Sequence, residues 1–98
     1  MRKLIVAALM VAGPAFASQT ARQGEDWVRL FDSPCVSAET MMRIPVALRD
    51  QFKKVQAHFQ GQIFFGCYIV RNGAAYVIYD DGDAGIIPLE EFKQDAEV

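Results

Sequence analysis

The sequence predicts an α+β domain: a small antiparallel sheet of three or four strands packed on one main helix and stapled by one disulfide. Three observations lead there. Asn72-Gly73 stands between two β-rich runs, apolar residues recur at helical spacing from Leu48 to Phe59, and Cys35 and Cys67 are the two cysteines of a chain that opens like an exported protein.

The chain begins with Arg2 and Lys3, then runs through Leu4 to Ala12 without a charge and bends at Gly13-Pro14 before Ala15-Phe16-Ala17. A basic start, an apolar centre and small residues in an A-x-A pattern describe a Sec-type signal peptide, cleaved after Ala17. The apolar run is short of the roughly twenty residues that cross a bilayer, and Pro14 interrupts it, so no stable membrane anchor is expected after cleavage. The expected compartment is periplasmic or secreted. Residues 18–25 are polar and without period and are expected to form a flexible N-terminal tail, followed by a single domain over 26–93 and a frayed C-terminus over 94–98.

Composition narrows the partners. Loss of Arg2 and Lys3 leaves eight basic against twelve acidic residues, a net charge of about −4. Nucleic acid is excluded, because a phosphate backbone calls for clustered Lys and Arg and the one local pair, Lys53-Lys54, shares its segment with Asp50. In an oxidising compartment Cys35 and Cys67 are expected to form a structural disulfide, and closing that loop contributes about 3 to 4 kcal/mol on a chain-entropy argument. Their wide spacing is neither that of a C-x-x-C redox pair nor, with His58 alone beside them, a set of four zinc ligands.

The elements follow in order. Trp27-Val28-Arg29-Leu30-Phe31 is rich in β-formers and predicts a short first strand, ended by a turn at Asp32-Ser33-Pro34. Ser37 is placed to cap a helical turn that reaches Met42. From Pro45, the apolar residues Leu48, Phe52, Val55 and Phe59 fall at spacings of four, three and four, which predicts the main amphipathic helix over 45–59, stopped by Gly61. The hairpin over 62–80 turns at Asn72-Gly73, since a type I′ turn needs positive φ at both central residues. A two-residue loop pairs Arg71 with Ala74, Ile69 with Tyr76, Cys67 with Ile78 and Gly66 with Tyr79. The polar stretch Asp80 to Gly85 predicts a further turn, Ile86-Ile87 a third strand, and Pro88 the start of a short C-terminal helix through Phe92.

Both faces of the hairpin are apolar. One carries Ile63, Phe65, Cys67, Ile69, Tyr76, Ile78 and Ile87, the other Phe64, Tyr68, Val70, Val77, Tyr79 and Ile86. A single helix covers one face, here assigned to the Cys67 side. The other, with Phe64, Tyr68, Tyr79 and Trp27, is then the candidate binding surface, open to a protein partner or a second copy unless Trp27 or Phe92 covers it from within.

Chemistry has less support. The acidic turn Asp80, Asp81 and Asp83 lacks the ligand spacing of an EF-hand loop, so no metal and no cofactor are expected. His58 is the single histidine and has no serine or acid at a spacing that completes a triad. The sequence therefore favours a small exported non-enzymatic module, protein-binding or envelope-associated; the alternative is a small hydrolase or cation-dependent enzyme using His58 and the Asp80, Asp81 and Asp83 turn. Intact-mass analysis of the exported protein tests the premise: the mass is expected to lack residues 1–17 and a further two hydrogens, and reduction restores those two.

Overall fold

A computed structural model describes residues 18–95, so the expected leader over 1–17 and the last three residues lie outside the described region. The architecture is a seven-stranded antiparallel sheet curled into a half-barrel, with little helix. In chain order the strands are β1 (Ser18–Gln23), β2 (Asp26–Pro34), β3 (Lys53–Phe59), β4 (Gln62–Arg71), β5 (Ala74–Tyr79), β6 (Ala84–Pro88) and β7 (Lys93–Gln94). A single helical turn, α1 (Ala38–Met41), and two 3₁₀ turns, Val46–Gln51 and Leu89–Glu91, complete the described chain. Across the sheet the order is β6-β5-β4-β3-β2-β1-β7, a meander that brings the last strand back beside the first.

The main helix predicted over 45–59 is replaced by a 3₁₀ turn and a strand, and the α+β class gives way to a mainly β fold. The reason is a periodicity that fits both readings. Val55 and Phe59 are four apart, which suits a helix, yet Val55, Ala57 and Phe59 also alternate with Lys54, Gln56 and His58, which suits a half-buried strand. Tertiary pairing decides between them: β3 lies between β2 and β4, matching Leu30 with Val55 on one side and Ala57 with Phe64 on the other. The β3–β4 turn is Gln60-Gly61, with φ of 51° and 81°, a type I′ geometry like that of Asn72-Gly73 at 54° and 77°.

Residues 18–25, expected as a tail, instead form β1 and the turn into β2. Gly24, with φ of 64°, supplies the positive first torsion of a two-residue turn that pairs Gln23 with Asp26. The Asp95 carboxylate holds the far end of β1, accepting the hydroxyls of Ser18 and Thr20 and lying 3.4 Å from Arg29 Nε. Burial alone raises the Asp95 pKa, but those hydrogen bonds and the Arg29 charge outweigh it and hold the carboxyl below its usual range. The expected fraying after Lys93 is accordingly absent at Gln94, which pairs with Gln19, and at Asp95.

Curling follows from chain length. Pro88 ends β6 at one edge of the sheet and Lys93 begins β7 at the other, so five steps of backbone join them. Five residues reach about 17 Å at most, whereas a flat sheet sets its first and seventh strands about 29 Å apart. The edges are drawn together, and the concave face closes over Val28, Leu30, Val55, Ala57, Tyr68, Ala75, Val77, Tyr79 and Phe92. Internal cover by Trp27 or Phe92 is the alternative to a free tyrosine face; Phe92 supplies it, 8 % exposed, while Trp27, assigned to the candidate binding surface, pairs with His58 on the convex side.

The disulfide joins Cys35 to Cys67 with the Cα atoms 5.4 Å apart. It pins the segment between β2 and β3 against the convex face, where Ile44 and Phe52 cluster with both cysteines, and Met41, Ile69 and Ile78 pack around them. Ser37 caps α1 as expected, and its hydroxyl and that of Thr40 both donate to Asp80, which ties α1 to the end of β5. Thr40 is fully buried, so its hydroxyl depends on that carboxylate.

The hairpin of β4 and β5 has the register that a two-residue Asn-Gly loop dictates, Gly66 lying opposite Tyr79. A Cβ at Gly66 would stand 2.0 Å from the Ile78 carbonyl oxygen and 2.8 Å from Tyr79 Cα, both backbone atoms with nowhere to go. Gly66→Ala is therefore expected to destabilise the fold by about 3 kcal/mol or more, and the paired Cys35→Ser, Cys67→Ser change by about 3 to 4 kcal/mol, both read from urea unfolding midpoints.

Candidate functional site: the open seam of the half-barrel

The sequence reading places Phe64, Tyr68, Tyr79 and Trp27 on one free surface, and the structure separates them. Phe64, Tyr68 and Tyr79 point into the half-barrel, and both tyrosines are only 6 % exposed. They are wall residues of a concavity and not a flat contact face.

The two tyrosines differ in their hydroxyls. The β2–β3 ladder shifts register between Leu30 and Pro34, so Phe31 has no paired residue on β3, and Tyr68 Oη donates to the Phe31 carbonyl at 2.9 Å. Tyr79 has no such provision: its hydroxyl meets no hydrogen-bond partner among the described residues. Its ring packs edge-on against Phe59 and Phe64, with centroids at 6.4 and 6.2 Å. Burial pushes the pKa of both tyrosines up to about 12, assisted by the Asp32 charge at Tyr68 and the Asp81 charge at Tyr79.

Where the curled sheet fails to close, two cavities lie side by side. One, of about 190 Å³, is walled by Ala21, Val28, Phe59 and Ile87, with Arg22, Asp26, Trp27 and Glu91 at its border. The other, of about 280 Å³, is walled by Phe59, Phe64, Val77, Tyr79 and Ile87, with Asp83 at its border. Phe59 and Ile87 belong to both, so the pair forms one seam between β6 and the β1–β2 hairpin. Phe59 stands at its centre and is 37 % exposed.

Sequence reasoning missed both shared residues. Phe59 was assigned to the stripe of a helix. Ile87 was set on the Cys67 face and Ile86 on the tyrosine face, and the order is reversed: β6 pairs Ile87 with Ala75 inside and Ile86 with Tyr76 outside, leaving Ile86 62 % exposed. The turn from Asp80 to Asp83 sets that register by pairing Ile78 with Ala84, an offset that no two-residue rule supplies.

His58 and the acidic turn are not brought together. His58 lies on the convex face, its ring stacked on Trp27 at 5.8 Å and its Nδ1–H donating to the Glu25 carbonyl at 3.1 Å; Arg29 lies over the same indole at 4.7 Å. Asp80 is on β5's continuation two strands away, about 10 Å by strand spacing alone, and is engaged by Ser37 and Thr40. The Asp81 carboxylate accepts the Asp83 backbone N–H at 2.9 Å, a local turn bond. Among the described residues, no three His, Cys, Asp or Glu side chains converge on a point that a metal ion would occupy.

Compared with protein-family models, curated proteins and solved structures, the chain matches none.

The buried tyrosines carry a pH dependence. Below pH 10 both phenols are neutral in the folded and unfolded chain. Above it the unfolded chain releases those protons first, so stability is lost as pH rises through about 12. The urea midpoint is expected to stay level from pH 8 to pH 9.5 and to fall between pH 10 and pH 12. The double change Tyr68→Phe, Tyr79→Phe is expected to flatten that fall.

Proposed function

We propose that this chain is a small exported, non-enzymatic binding protein whose recognition site is the open seam of the half-barrel. One observation carries the reading: Tyr79 is almost fully buried at the wall of a cavity of about 280 Å³, yet its hydroxyl has no partner among the described residues. Leaving such a group unpaired costs about 1 to 3 kcal/mol, a cost relieved when a bound group supplies the missing hydrogen bond. The surrounding walls are apolar and aromatic with few polar groups, the usual make-up of a ligand pocket.

Export rests on the leader and on the disulfide. A bridge between Cys35 and Cys67 persists in an oxidising space, which favours the periplasm or the cell exterior. The hydrolase alternative asks for His58 and the acidic turn to cooperate, and their separation on the sheet, each with its own partners, speaks for the binding reading instead.

Gly85 offers a direct test. It lines the second cavity, and a Cβ there would meet Val77 at an ordinary 3.6 Å, so Gly85→Leu projects a side chain into the seam without displacing backbone. Protein exported by its native host and examined by native mass spectrometry is expected to carry a bound mass that Gly85→Leu loses and His58→Ala retains. Loss in His58→Ala with retention in Gly85→Leu would move the site to the convex face and reject the seam.

A further inference from the structure

The seam has a chemical polarity that narrows what it binds. This step rests on the seam being the binding site and goes on to name the class of ligand. Its walls are Phe59, Phe64, Val77 and Ile87, which select an apolar body. Its border is acidic: Asp83 edges the second cavity, and Asp26 and Glu91 edge the first against the single cation Arg22. Asp26 is partly committed, since its carboxylate accepts the Gln60 N–H at 3.1 Å, whereas Asp83 is bound through its backbone and leaves its carboxylate free of any hydrogen bond among the described residues. Tyr79 lines the same cavity as Asp83, and its hydroxyl, unpaired among the described residues, has a lone pair available to an N–H donor.

We infer that the seam binds a small cationic amphiphile, an alkyl or arylalkyl amine, whose apolar body lies along Phe59 and Ile87 and whose ammonium meets the Tyr79 hydroxyl and the Asp83 carboxylate. Size agrees with the assignment. The two adjoining cavities, of about 190 and 280 Å³, accept a chain of several carbons or one aromatic ring, and an apolar cavity of about 150 Å³ is known to take benzene. An anionic head would instead face Asp83 and, close to Tyr79, Asp81, and is repelled.

The experiment compares three molecules of one length and three head groups, octylammonium, octanol and octanoate, by isothermal titration calorimetry of the full exported protein at pH 7. Octylammonium is expected to saturate at one per chain and to bind about fivefold tighter than octanol, with octanoate weaker than both. Tyr79→Phe and Asp83→Asn, each shown to be folded by circular dichroism, are expected to bring octylammonium to within about twofold of octanol, because the apolar contacts remain and the head-group contacts do not. Gly85→Leu is expected to abolish the binding of all three. Octanoate binding as well as octylammonium, or head-group preference unchanged in both point variants, overturns the inference. Absence of saturable binding by any of the three also overturns it, and a bound mass of another class in the native protein would then leave the seam as the site and this ligand class as the error.

Discussion

Four residues between two edges shape this molecule. A meander of six strands has no intrinsic need to curl, and its two faces would remain equally available to solvent. Joining β6 to β7 through Leu89–Phe92 removes that freedom, because the link is shorter than the width of a flat sheet. Leu89 and Phe92 are themselves part of the inner core, so the link is also a plug. The same constraint explains why closure is incomplete. β7 is two residues long and bonds to β1, while β6 bonds to β5, and no ladder joins β6 to β7 or to β1. The edges approach through side chains only, and the space left over is the seam.

The problem posed by two apolar faces on one hairpin is thus solved without a large helix. Concavity buries the inner face. The outer face is covered where the Cys35–Phe52 segment lies across it, anchored by the disulfide, by the Asp80 carboxylate and by Phe52. Beyond that cover Ile63 and Phe65 remain 44 % and 49 % exposed, and the adjacent convex surface is a row of stacked polar and aromatic groups, Arg29, Trp27 and His58. Residues with a single exposed contact of this kind are common on soluble proteins and ask for no explanation of their own.

Local signals in the sequence were legible wherever one residue type has a single structural use. Asn72-Gly73 fixed the central hairpin and its register, the Trp27 run marked a strand, Ser37 marked a cap, and the two cysteines marked the bridge. Reading failed where the residues admit two uses. Val55, Ala57 and Phe59 satisfy a period of two and, with Phe52, a period near 3.6, and neither local propensity nor charge separates the two. Gln60-Gly61 forms a turn of the same type as Asn72-Gly73, but glutamine rarely takes positive φ, so nothing in its identity announced the turn. The polar Ser18–Gln23 segment became a strand because β2 offered it a ladder and Asp95 a hydrogen-bonding anchor, both supplied by distant sequence.

The candidate site was half visible for the same reason. That Phe64 and Tyr79 share a face follows from alternation and from the register of one hairpin, both local. That Phe59 and Ile87 join them depends on β3 being a strand and on the curl that brings β6 toward β1, both global. The decisive contrast lies between two tyrosines on neighbouring strands of one interior. Tyr68 is balanced by the Phe31 carbonyl, which accepts its hydroxyl at 2.9 Å beside the register shift of the β2–β3 ladder. A phenylalanine at position 79 would fill the same space against Phe59 and Phe64 with no polar atom to satisfy. The oxygen that Tyr79 adds has no partner among the described residues, and the residue lines the seam. A polar group that the fold does not pair, set in the wall of the seam, is physically accounted for when something outside the chain uses it.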